Sequence, residues 1–146
     1  MKISTKARHA TTAMLNLALH HGTRSVTLTE ISRSQEISVS YLEQLFAKLR
    51  QAKLVEGIRG PGGGYHLSRT PSRITIAQIV MAIEKMPAKR RRTKKFNELA
   101  APLELWDDFS KHLHDHLNSL SLADLAPTLS QYRRNKEAET NQRQAA

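Results

Sequence analysis

The chain of 146 residues contains no cysteine, which removes disulfides, thiolate zinc sites, thiol catalysis and cysteine-held iron–sulfur clusters together. Aromatic residues make up only 5% of a chain that is 39% hydrophobic. The core must therefore be aliphatic, and a small, largely helical protein is expected rather than a β-sandwich or barrel. No stretch approaches the ~18 consecutive apolar residues of a membrane span, and the opening MKISTKARHATT has no apolar signal core. A soluble, cytoplasmic protein with no membrane association is expected. Acidic residues are also scarce, 13 against 23 Lys and Arg for a net charge of +10. The imbalance is regional: residues 1–101 carry +12 and residues 102–146 carry −2. One part of the molecule is thus suited to a polyanion.

Ala7, Ala10, Met14, Leu17, Ala18 and His21 recur at three- and four-residue spacing, which predicts a first helix from an N-cap at Ser4 to His21-Gly22, with Lys6, Arg8, Thr12 and Asn16 on its polar side. Val26-Thr27-Leu28-Thr29-Glu30-Ile31 spells a capping box, Thr27 with Glu30, enclosed by a Val26–Ile31 staple, so a short second helix begins there. A third starts at Ser38 or at Ser40, the latter offering Glu43 as a reciprocal cap. It buries Leu42, Leu45, Phe46 and Leu49 and leaves Tyr41, Glu43, Gln44 and Lys48 outside. Thr75 and Gln78, with Ile74 against Ile79, repeat the device for a fourth helix reaching about Lys85.

Between the third and fourth helices, Leu54–Arg59 and Tyr65–Ser68 read as two short strands joined by Gly60-Pro61-Gly62-Gly63-Gly64. Proline presets one turn residue and glycine permits positive φ at others. Two helices in a brace followed by a hairpin carrying Arg59 spell a winged helix-turn-helix that reads duplex DNA. Ser38, Ser40, Tyr41 and Gln44, at the start of the third helix, have hydroxyl and amide groups suited to phosphates and base edges, and Glu43 can accept from cytosine N4. Arg59, ahead of a narrow turn, suits the negative potential of a minor groove. Lys6 and Arg50 are generic phosphate contacts. GPGGGY is not a phosphate-cradling loop: it lacks the Lys-Ser/Thr ending, and a strand follows it rather than a helix.

Pro87–Ala101 breaks the pattern with the basic run Lys89–Lys95 and reads as a loop. Pro102 then opens a long helix on which Leu103, Trp106, Phe109, Leu113, Leu117 and Leu120 approach a coiled-coil seam. So wide an apolar stripe needs a partner, and a second copy of the chain is the expected one. Ser121–Pro127 reads as a short capped return helix, and residues after Tyr132, with no apolar side chain larger than alanine, as disordered. The domain plan is a DNA-binding unit over residues 1–86, a basic loop over 87–101, dimerisation and return helices over 102–132, and a tail over 133–146. His112 and His116 share one face of the long helix and could hold a divalent metal across a dimer; exposed helix histidines are the commoner reading, so no metal is assigned. No nucleophile–base arrangement suggests an enzyme.

Four stretches, STKARHATTAML, ISVSYLEQLFAKLR, LVEGIRGPGGGYHLS and LELWDDFSKHLHDHLNSLSLADL, closely resemble the IscR type of the Rrf group of winged-helix transcription regulators, over roughly residues 1–126. The resemblance implies a mainly α fold with a small β-hairpin, a homodimer joined by the long C-terminal helix, and DNA contacts at Ser38, Ser40, Tyr41, Glu43, Gln44, Arg59, Gly60 and Pro61. Relatives of the sensor type hold a [2Fe-2S] cluster with three cysteines and a histidine ahead of the long helix. Here that stretch is PAKRRRTKKFNELAAPLELW, with Leu103 where the histidine would stand and Ala100 where the nearest cysteine would. A regulator without that cofactor is expected. Pairing with a cluster-bearing relative as a heterodimer, and a metal or small-ligand sensor using the helix histidines, are the alternatives.

Overall fold

The computed structural model describes residues 3–84 and 100–145, the side chains of 100–103 excepted. The basic run Lys89–Lys95 and the side chains of Ala100 and Leu103 lie outside these. Among the described residues, six helices and one hairpin follow in the order α1 Thr5–Leu19, α2 Leu28–Gln35, α3 Val39–Gln51, β1 Val55–Ile58, β2 Gly64–Leu67, α4 Ile76–Glu84, α5 Ala100–Ser119 and α6 Leu122–Ala145, with one turn of 3-10 helix at Pro71–Arg73.

Local sequence chemistry sets the helix starts. The Ser4 hydroxyl accepts from the Ala7 N–H at 3.2 Å to open α1. Thr27 and Glu30 close the expected capping box on α2, with Val26 and Ile31 both buried beside it. Thr75 with Gln78 opens α4, and Ser121 with Asp124 opens α6, the side chain of each residue accepting from the other's backbone N–H. At α3 the choice between two serines falls on Ser38, whose hydroxyl accepts from the Tyr41 N–H at 3.3 Å. Ser40 is inside the helix, so Ser40 and Glu43 are exposed rather than engaged in capping.

The core is aliphatic around one phenylalanine. Ala7, Ala10, Met14 and Leu17 of α1 meet Leu42, Leu45, Phe46 and Leu49 of α3, with Ile74, Ile79 and Ile83 from the α4 region and Leu122 from α6. The hairpin is antiparallel, with Val55 opposite Leu67 and Gly57 opposite Tyr65. Two further hydrogen bonds, Val26 N–H to Tyr65 O at 2.9 Å and Tyr65 N–H to Val26 O at 2.8 Å, lash its second strand to the segment before α2. A matching pair, Ile76 N–H to Leu120 O and Leu122 N–H to Ile74 O, both 2.9 Å, pins the α5–α6 connection to the start of α4.

Several expectations are corrected. Residues 133–145, expected to be disordered, continue α6. Ala, Glu, Lys, Gln and Arg dominate there and favour helix without any apolar face, and the Arg133 guanidinium is anchored on Asn16 Oδ1 of α1. The helix also passes through Pro127, expected near its end. In the second turn proline leaves only the Ala123 carbonyl without its usual donor, and both residues are exposed to water. Asn16, expected on a polar face, is only 4% exposed because α6 covers it, while His21, expected on the apolar face, is exposed beyond the end of α1. Leu117 and Leu120, assigned to a dimer seam, pack on their own chain's core. The exposed apolar group of α5 is instead Leu105, Trp106 and Phe109, at 67%, 61% and 49%.

Candidate nucleic-acid interface

Ser38, Ser40, Glu43 and Gln44 occupy the N-cap and first two turns of α3, and all four are exposed. The Ser38 and Ser40 hydroxyl oxygens lie 3.4 Å apart, so they present adjacent hydrogen-bonding groups at one helix end. Tyr41 departs from expectation. It is half-buried, packed on the core, with its ring edge-on to His9 and its hydroxyl 3.3 Å from His9 Nδ1. Lys48 is also half-buried, its Nζ donating to the Ile83 carbonyl at 3.2 Å, which ties α3 to the last turn of α4. That same turn holds the start of α1, because Glu84 Oε1 accepts from the Ser4 N–H at 3.0 Å. Lys6, two residues on, is exposed in the first turn of α1.

The hairpin turn is built as its residues demand. Pro61 follows Gly60, Gly62 has φ +74°, and the Gly63 N–H donates to Gly60 O at 2.9 Å, the arrangement of a type II turn. Arg59, Gly60 and Pro61 are exposed at its tip. Ser25 Oγ donates to Gly62 O at 2.8 Å and moors the tip to the loop ahead of α2. At the hairpin base, Arg50 from the last turn of α3 shares a shallow groove of about 450 Å³ with Lys53, Glu56, Gly57 and Ser68. Among the candidate DNA contacts, Arg50 and the first wing strand are thus brought together.

At the start of α2 the capping box carries an exposed ion pair. The Thr27 N–H, donating to the Glu30 carboxylate, holds its pKa below the usual range, against a smaller opposing effect of burial; the Thr27 hydroxyl and the Arg24 guanidinium act in the same sense as the backbone donor. Arg24 Nη1 sits 2.8 Å from Glu30 Oε1. Asp124 is lowered likewise, chiefly by the Ser121 N–H. His112 approaches Asp108 on α5, with His112 Nδ1 2.9 Å from the Asp108 carbonyl and 3.7 Å from its carboxylate. Among the described residues, no three His, Asp or Glu side chains gather into a metal site, and no helix is long and apolar enough to cross a membrane.

Sequence reasoning missed His9, which touches Tyr41 across a separation of 32 residues, and Ser25, which steadies the wing tip. Neither carries a local signal; a single histidine or serine on a predicted helix or loop looks like any other polar residue.

Residues 3–128 match the Rrf2 family, described as iron-dependent transcriptional regulators. The HTH-type transcriptional regulator IscR of Sodalis glossinidius (strain morsitans) is 43% identical over 129 residues, covering 86% of this chain and 78% of that protein. Among solved structures, CymR (YrzC), the global cysteine regulator of B. subtilis, superposes with TM-score 0.76 at 38% identity, covering 88% of this chain and 98% of that one. T. potens IscR does so with TM-score 0.74 at 34% identity, covering 88% of both. With its capped reading helix, glycine wing and long C-terminal helices, the chain belongs to the Rrf2 family and is an IscR-like, DNA-binding transcription regulator.

Proposed function

We propose that the chain acts in the cytoplasm, without catalytic activity, as a homodimer on a near-palindromic operator, with α3 in the major groove and Arg59 of each wing in a flanking minor groove. The observation that carries this reading is the surface of α3: one ordered helix end that leaves Ser38, Ser40, Glu43 and Gln44 free of structural duty beyond the Ser38 cap. In this reading Ser38 and Ser40 donate to phosphates, Gln44 addresses the edge of adenine, and Glu43 accepts from cytosine N4. Lys6 and Arg50 displace counterions from the backbone. In this reading two-fold symmetry comes from pairing through Leu105, Trp106 and Phe109 of α5, and their exposure in one chain supports it.

The family's description names iron, and the donor set of this chain does not fit an iron–sulfur cluster held by thiolates. There is no cysteine anywhere, and residues 85–99, between α4 and α5, contain neither cysteine nor histidine. Basic and aliphatic side chains do not replace thiolates on iron. Regulation in this reading is carried by the protein surface alone, and no step passes through a cluster.

The test is selection of bound duplexes from random DNA with the purified protein, followed by affinity measurements across salt. A palindromic consensus is expected, with log K falling by about 0.9 per neutralised phosphate for each unit of log salt. Failure to enrich any sequence, or binding indifferent to salt, contradicts the reading.

A further inference from the structure

His9 of α1 and Tyr41 of α3 are in direct contact, Nδ1 to hydroxyl at 3.3 Å, with ring centroids 5.6 Å apart and planes at 88°. Both are half-buried. Tyr41 is the third residue of α3, and its N–H is already taken by the Ser38 cap, so the phenol is its only free donor. That single proton can go one of two ways. If Nδ1 is bare it accepts the phenolic proton, and the tyrosine oxygen can then only accept. If Nδ1 carries hydrogen it donates to the phenolic oxygen, and the Tyr41 O–H is released to donate elsewhere. Phosphate oxygens, guanine N7 and guanine O6 are acceptors only.

We propose that His9 is a positioning residue for DNA recognition: it donates from Nδ1 to the Tyr41 oxygen, and its edge contact holds the phenol so that the freed proton points to a DNA acceptor. Nδ1–H exists in one neutral tautomer as well as in the imidazolium, so the device needs no change of charge. It rests on the reading of α3 as the DNA-contacting helix. Its consequence is that α1, through a residue touching no nucleotide, decides whether Tyr41 presents a donor or an acceptor.

The experiment uses the full chain and a duplex recovered by wild-type selection from random DNA, comparing His9→Leu, His9→Asn, Tyr41→Phe and the double variant His9→Leu/Tyr41→Phe, each with its melting temperature. Tyr41→Phe and His9→Leu should each weaken binding about fivefold, the worth of one net hydrogen bond. The double variant should be no weaker than Tyr41→Phe, because His9 acts only through the Tyr41 hydroxyl. His9→Asn, whose amide stands near the Nδ1 position and can donate, should restore most of the affinity whatever its melting temperature. Additive losses, wild-type affinity for His9→Leu, or equal weakness of His9→Leu and His9→Asn would overturn the proposal. A wild-type protein that enriches no duplex overturns the reading of α3 and this proposal with it; the other outcomes overturn this proposal alone.

Discussion

Tyr65 of the wing lies against Phe46 of α3 with ring centroids 4.8 Å apart and planes inclined at 60°. Phe46 is wholly buried, so the hairpin is seated on the inner face of the same helix whose outer face bears Ser40, Glu43 and Gln44. The paired hydrogen bonds between Tyr65 and Val26 fix it from the other side. Helix α3 and the wing are thus packed against each other, the arrangement that the proposed two-point grip on a duplex needs.

Gly64→Ala tests that seating. A Cβ at this position would stand 2.6 Å from the Val26 carbonyl oxygen, and the backbone has φ +152°. The added methyl must push β2 off its strap. We expect stability to fall by about 1–3 kcal/mol and protease cleavage to appear in the hairpin. A variant as stable and as resistant as wild type would contradict the strap.

The capping box of α2 gives a prediction with a sign in pH. Because Glu30 has its pKa lowered in the folded protein, its contribution is present above the unfolded carboxylate range and is lost as pH falls through the folded value. Glu30→Gln should therefore be less stable than wild type at pH 7, and the difference should shrink as the buffer is taken below about pH 4. Thr27→Ala should cost about 1 kcal/mol. Denaturant melts at both pH values check this; a gap that widens in acid contradicts it.

Asn16→Ala removes the acceptor for Arg133 and leaves that guanidinium half-buried against α1. A loss of about 1–3 kcal/mol is expected. Amide exchange should show the last turns of α6 fraying first, since no apolar side chain larger than alanine follows Tyr132. Unchanged protection over residues 133–145 would show that the anchor does not hold the helix.

Trp106→Glu addresses the exposed group on α5. With Leu105, Trp106 and Phe109 between half and two-thirds exposed, a charge at the centre should convert a dimer into a monomer without lowering the melting temperature of the DNA-binding unit. Sedimentation of both proteins decides it. An unchanged mass for the variant, or a monomeric wild type, removes this face from the interface.

What could be read from residues alone follows distance along the chain. Thr27 with Glu30, Thr75 with Gln78 and Ser121 with Asp124 are three residues apart and need nothing else to form, and Pro61-Gly62 dictates its own turn. The core face of α3 follows from Leu42, Leu45, Phe46 and Leu49 by helical period. Tertiary contacts were not legible: His9 with Tyr41, Lys48 with the Ile83 carbonyl and Asn16 with Arg133 join residues 32, 35 and 117 apart. In each a side chain placed outside by helical period, or a lone histidine, acquires a partner because another helix lies over it. Leu117 and Leu120 show the converse. A stripe on α5 that reads as one seam is divided, with Leu117 and Leu120 packed on the chain's own core and Leu105, Trp106 and Phe109 exposed.

Hydroxyl-radical footprinting of wild type and Arg59→Ala on the selected duplex tests the two-point grip most directly. Wild type should protect two flanking minor-groove patches placed symmetrically about a central pair of major-groove contacts. Arg59→Ala should lose the flanking patches and about 1–3 kcal/mol of affinity while keeping the central contacts and its melting temperature. Identical footprints for the two proteins, or protection confined to one groove in wild type, would contradict the account.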